Sequence, residues 1–341
     1  MTSLTLAAGQ ERVARLRPMP WRRMAWVTWR QHRVALAGVA VLLGALAAYL
    51  WMTGLQVHHA YAAVSACHPA GSPACEYQQN DFASTYFASE TMTALLQVVP
   101  VLIGAFAGAP VLAREMETGT FRYAWTQGFE RWRWTVAKLV LLAVTVAVAA
   151  GAFGVLFSWY YGPFFTQGAE TPFAPTVFDL RGVALPAWTL AAFAIGALAG
   201  MLIRRVVPAI AATLAAWSVL AITAALYLRQ HYMTPLVVSN TDLPGSAWVT
   251  SQWYTQGGKR VSRSVIDQVL QGDPIKQVGA HGLRQTIDPV QYLAQHGYTS
   301  WMSYQPGSRF WSFQWIEGGW LLALSVLLIA ASVWLVRRRA A

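Results

Sequence analysis

Residue types that could do chemistry are present in this chain, but most fall into no catalytic pattern. There is no H-E-x-x-H zinc motif, no G-x-S-x-G nucleophile elbow and no C-x-x-C pair. No G-x-x-x-x-G-K-S/T phosphate loop occurs, so the chain has no ATP hydrolysis of its own by that route. One stretch does stand out. Glu115 and Glu117 are followed by a Gly119–Thr120 break, by Phe121, Tyr123, Trp125 and Phe129, and by a basic return at Arg131, Arg133 and Lys138. A solvated loop has no use for four aromatic side chains, which call for a surface of lipid headgroups or of a partner protein. Arg309 to Glu317 is a second polar cluster, the one place where a lipid-directed enzyme would find catalytic groups. Cys67 and Cys75 enclose His-Pro-Ala-Gly-Ser-Pro-Ala, turn formers able to bring the sulfurs together. A structural disulfide is predicted, contributing about 2–3 kcal/mol. The competing use of His58, His59 and His68 as metal ligands matches no standard spacing.

The elements that must position these residues are apolar. Of 341 residues, 56% are hydrophobic and 11% charged, against about a quarter charged in soluble domains. Mean hydropathy is +0.38. Six uncharged stretches approach the roughly 20 residues that a helical span needs: Val34–Trp51, Met92–Ala113, Leu139–Tyr161, Gly182–Ile203, Val206–Leu228 and Gly318–Val336. The predicted fold class is an all-α polytopic membrane protein with six transmembrane helices. Gly104 with Gly108, and Gly196 with Gly200, make G-x-x-x-G spacings that permit close helix approach. Span interiors carry no ionisable group, and Glu317 falls at the mouth of the sixth, which disfavours transport driven by an ion gradient.

The net charge of +11 reads as a topology signal and not as a nucleic-acid footprint. Arg12 to Arg33 precede the first span, Arg114 to Lys138 lie between spans two and three, Arg204 and Arg205 separate spans four and five, and Arg337 to Arg339 follow span six. Short basic loops stay cytoplasmic, so both termini are predicted inside a multi-pass protein of the plasma membrane. The first span has no clear cleavage site after it and is read as a retained anchor.

The expected organisation follows from this. Residues 1–33 form a cytoplasmic segment in which Trp21–Arg33 is a basic amphipathic helix suited to the membrane surface. Residues 34–228 hold spans one to five, with an external loop at 54–91 and a cytoplasmic loop at 114–138. Residues 229–317 form an external segment too long to be structureless, and 318–341 the last span and a basic tail. Within 229–317, Asp288–Pro289 is an N-cap and first-turn pair opening a helix to about His296. Val261, Val265, Ile266, Val269 and Leu270 recur at helical spacing, and the aromatics from Trp248 to Trp315 suggest a small core on the membrane face.

The stretch from Gly108 to Lys138 resembles the permease subunits of type-2 ATP-binding-cassette (ABC) exporters, in the form common in actinobacteria. That family shows Gly-Ala-Pro-x-x-Ala-Arg-Glu, matched here by Gly108 to Glu115. A Glu-x-Gly-Thr element follows, then a Gln or Pro with a basic residue, then a Lys opening the third span; the matching residues are Glu117, Gly119, Thr120, Gln127, Arg131 and Lys138. A Tyr-x-Pro-x-Ser-Arg-Phe-Trp-x-x-Gln-x-x-Glu element before the last span is matched by Tyr304 to Glu317, including Pro306, Arg309, Phe310, Trp311, Gln314 and Glu317. The resemblance implies a transport subunit that pairs with a second copy or a similar permease and docks separate ATPase subunits, which bind the ATP and Mg. Loop 114–138 would hold the coupling helix, with Glu115 and Glu117 transmitting closure and Arg122, Gln127 and Arg131 supporting the contact. Trp21–Arg33 would be the connecting helix. Phe106, Phe153, Phe157 and Trp217 within the spans favour a hydrophobic or amphipathic cargo. A reading from another class is a non-transporting sensor or scaffold that presents its external segment to a partner.

Overall fold

The computed structural model describes residues 21–69, 72–117, 131–271, 277–278, 284–285 and 289–338. Six helices are long and apolar enough to cross a membrane: Leu36–Ala66, Pro73–Glu117, Trp132–Thr166, Ala184–Ile203, Val206–His231 and Gly307–Arg338, here spans 1 to 6. Each coincides with one of the six apolar stretches. Gly119, Thr120, Arg122 and Gln127 lie outside the described residues.

The helices outrun the apolar stretches, and several expected boundaries move. Residues 54–91, expected as a loop, are almost entirely helical: the first helix runs to Ala66 and the next begins at Pro73. Aromatic packing explains the extension. Phe82 of span 2 lies 6.4 Å from Tyr61 of span 1 and 5.2 Å from Phe164 of span 3, and Tyr86 meets Phe164 edge-on at 5.4 Å. Such pairs reward continuing the helices beyond the strictly apolar residues. The Cys67–Cys75 disulfide closes the turn, and Ser72 caps span 2 by accepting from the Cys75 amide at 3.3 Å, with Pro73 in the first helical position. Trp21–Arg33 is likewise not a separate surface helix but the start of one 46-residue helix, Trp21–Ala66.

Span 4 is the hub, packed against spans 2, 3, 5 and 6. The two G-x-x-x-G spacings meet each other within the chain. A Cβ on Gly104 would stand 2.4 Å from Ala192 Cβ, one on Gly196 2.6 Å from the Gly104 carbonyl oxygen, and one on Gly200 2.4 Å from the Ala109 oxygen. Backbones of spans 2 and 4 therefore touch directly. In this contact span 2 widens into a π turn at Gly104–Gly108, and span 5 has another at Ala224–Leu228.

Span 5 continues past the expected end at Leu228 to His231, and the last helix starts at Phe310, well before Gly318. Between them the chain builds an antiparallel sheet ordered β1-β6-β2-β3, from β1 (Leu236–Ser239), β2 (Trp248–Gln256), β3 (Lys259–Val261) and β6 (Tyr298–Gln305). The short strands β4 (Gln277–Val278) and β5 (Arg284–Gln285) pair separately. The expected helices are present at Arg263–Gln271 and Pro289–Gln295; Asp288 is outside the described residues. The sheet was not anticipated. It docks on the bundle through Trp248, stacked 5.8 Å from Phe173, whose ring also meets Phe310 and Phe313.

Candidate functional site

Two polar clusters stand at opposite ends of the bundle. At the end facing residues 118–130, span 2 terminates in Ala109–Glu117. Glu115 accepts from Lys138 Nζ of span 3 at 2.6 Å, and the same nitrogen donates to the Val111 carbonyl at 3.2 Å. Lys138 is buried while Glu115 is partly open. Glu117 accepts from the Val206 amide at 3.2 Å, satisfying an orphan N–H in the first turn of span 5 with a charge of favourable sign. Thus the two carboxylates tie the end of span 2 to spans 3 and 5. Arg131 opens the span 3 helix. Lys138, expected in the coupling contact, links Glu115 to the interior of the bundle.

At the sheet end, Glu317 is completely buried and fully engaged. Its Oε1 accepts from Arg229 Nη2 at 2.7 Å and Trp188 Nε1 at 2.9 Å, and its Oε2 from Arg229 Nε at 3.0 Å and the Tyr232 hydroxyl at 3.1 Å. Arg229 also donates to Asp179, and its guanidinium lies over the Phe178 ring at 4.1 Å. Glu317 is therefore not at a solvated mouth, and the spans are not free of paired charge: Arg229 belongs to span 5 and Glu317 to span 6. A buried charge survives in such a setting only when paired and hydrogen-bonded. Burial pushes the Asp179 carboxyl up, to about 7, with Arg229 opposing the shift and the Glu317 charge reinforcing it.

The rest of the motif before span 6 is structural in its contacts. Gln314 accepts from the Ala184 amide at 2.9 Å, capping span 4, and donates to the Phe178 carbonyl at 3.0 Å. Arg309 donates to the Thr234 carbonyl at 2.7 Å and to Gln305 Oε1 at 2.8 Å. Phe310 is buried among Phe173 and Phe178, Trp311 is exposed, and Pro306 precedes the 3-10 turn that enters the helix. Together these residues clamp span 6 to the segment before span 4 and to the end of span 5. Asp179, Trp188, Arg229 and Tyr232 were missed by sequence reasoning. The available signal was a cation ending the fifth apolar stretch and a carboxylate opening the sixth, opposite charges on consecutive spans at one membrane face. Among the described residues no group of three or more His, Cys, Asp or Glu side chains gathers where it could hold a metal ion.

A family model described as ABC-2 membrane transporter related matches residues 40–229, from within span 1 to Arg229. No curated protein and no solved structure matches the chain. The match covers more than half of the sequence, including spans 2, 3 and 4 whole and both carboxylates at the end of span 2. This six-span chain belongs to the ABC-2 membrane transporter related family.

Proposed function

We propose that this membrane transport protein is the permease subunit of an ABC exporter, driven by ATP and Mg bound to separate ATPase subunits and paired with a second copy or a homologous permease. Both termini lie in the cytoplasm and the sheet lies outside, a reading supported by the basic residues at the loop end (Arg114, Arg133, Arg204, Arg205, Arg337 and Arg338). The cargo is hydrophobic or amphipathic.

The observation that carries the proposal is the anchoring of span 2. Glu115 and Glu117 bond to spans 3 and 5, so a displacement of the intervening segment 118–130 is delivered to three helices at once. Coupling then rests on Glu115, Glu117, Gly119, Thr120, Arg122, Gln127 and Arg131 as the contact, with Lys138 holding Glu115 in place. The tagged chain, purified from gently solubilised membranes, is expected to bring down a soluble protein with Walker motifs in stoichiometric amount. Glu117→Lys is expected to abolish transport while membrane insertion stays normal. Absence of any ATPase across several mild detergents, or full activity of Glu117→Lys, would overturn the reading, the first in favour of a sensor or scaffold that presents the sheet.

A further inference from the structure

At the sheet end, Arg181 stands in the short connection between the helix Pro175–Phe178 and span 4. Its guanidinium is held between two aromatic faces, 4.1 Å from the centroid of Phe165 at the end of span 3 and 4.9 Å from that of Phe310 at the start of span 6. Two of its nitrogens, Nε and Nη1, are buried and have no hydrogen-bond partner. The described acids nearby are committed elsewhere. Glu170 accepts from the Tyr86 hydroxyl at 2.8 Å and from the Thr171 amide at 2.9 Å, while Asp179 and Glu317 are taken by Arg229. Burial alone lowers the guanidinium to about 10, with no carboxylate holding it up, so it is still a cation at neutral pH.

A planar fork of donors, desolvated and left without an acceptor, is incomplete as an internal structure. Its neighbour Arg229, on the same side of the bundle, has two carboxylates. Arg181 has Phe165 and Phe310 against it and no acceptor for Nε or Nη1, which leaves its hydrogen-bonding capacity for a ligand. The location supplies the ligand's chemistry. Phe165 and Phe310 sit where spans 3 and 6 leave the bilayer, and Trp311, one residue on from Phe310, is 57% exposed at the level where tryptophans meet lipid headgroups. Arg181 itself is only partly buried, so part of its side chain is reachable from outside.

We propose that Arg181, framed by Phe165 and Phe310, is a binding site for a phosphate-type oxyanion at the sheet-bearing face of the membrane. Two sources share that chemistry, the headgroup of an acidic phospholipid in the adjoining leaflet and a soluble phosphate. Bidentate pairing fits a guanidinium better than a point charge, so the site should distinguish Arg from Lys. The proposal stands without any assumption about ATP-driven transport.

The full chain in nanodiscs of phosphatidylcholine with a minority of phosphatidylglycerol tests it, with retained lipids counted by native mass spectrometry. The wild type should keep phosphatidylglycerol over phosphatidylcholine, and Arg181→Gln should lower that preference by about tenfold. Arg181→Lys should insert and fold while keeping only part of it. Basic residues at the other membrane face contribute equally to all three proteins, so the difference between variants is what counts. If the source is soluble, inorganic phosphate should raise the unfolding temperature of the wild type in pure phosphatidylcholine discs and leave that of Arg181→Gln unchanged. Equal lipid preference in wild type, Gln and Lys variants, together with no phosphate response, overturns the assignment. Should Arg181→Gln fail to insert, a Lys variant indistinguishable from wild type in both assays overturns it equally.

Discussion

The two ends of the bundle use the same charged groups in opposite ways. At the loop end the carboxylates of Glu115 and Glu117 are partly or fully open to solvent, bonded to Lys138 and to the Val206 amide on neighbouring spans. At the sheet end Glu317 and Arg229 are sealed in, with Asp179, Trp188 and Tyr232 completing the network. Water reaches the two carboxylates in the first case, although Lys138 is buried, and has no access to Glu317 in the second. The loop end is therefore built to rearrange cheaply, and the sheet end to hold spans 4, 5 and 6 in one arrangement.

The strongest way to break this contrast is to remove one charge at the sheet end. Glu317→Ala leaves Arg229 buried with only Asp179, and a loss of about 3–5 kcal/mol is expected. It should appear as poor yield and a lowered unfolding temperature in detergent. The triple variant Asp179→Asn, Arg229→Met, Glu317→Leu should recover much of that loss, because it leaves no orphaned charge in the bundle. Glu117→Gln at the loop end should cost far less, since Glu117 is exposed and its partner is the backbone amide of Val206. Comparable damage at the two ends would erase the distinction.

A smaller effect sharpens the role of span 4 as the rigid middle between them. A methyl group on Gly196 meets the Gly104 carbonyl oxygen at 2.6 Å, so Gly196→Ala should destabilise by about 1–3 kcal/mol through overpacking. Gly151→Ala in span 3, where no atom lies within 4 Å, should be neutral or slightly stabilising. Thermal unfolding of the pair in one detergent decides it, and equal midpoints would remove the close contact of spans 2 and 4.

The last effect is in pH. The Asp179 carboxyl is raised from 3.8 to about 7, chiefly by burial. The folded protein then binds a proton between those values that the unfolded chain has released, so stability falls as pH rises through that window. Asp179→Asn should flatten the slope of unfolding temperature against pH. An unchanged slope would place the titration elsewhere.

The spans were legible because apolar length is a local property. Their ends were not, since the helical continuation of Gln56 to Ala66 and of Glu76 to Thr91 depends on Phe82 finding Tyr61 and Phe164 across the bundle. The sheet was obscured for a related reason. Strand β2 breaks its register between Val249 and Ser251, which spoils the alternation that marks a half-buried strand. Of the candidate site, the loop-end carboxylates could be read from their neighbours along the chain. Arg229 and Glu317 are 88 residues apart, and no spacing rule links them. The glycine spacings were visible as pairs, but only the fold reveals that the two pairs face each other.

The first helix has a mechanical consequence. Its 46 unbroken residues make a rod of about 69 Å at 1.5 Å per residue, more than twice the roughly 30 Å hydrocarbon core it crosses. A rod of that length would act as a lever in the bilayer wherever its packing lets it tilt. A sideways push near Trp21 would then swing the far end the opposite way, where the Cys67–Cys75 bridge ties it to span 2.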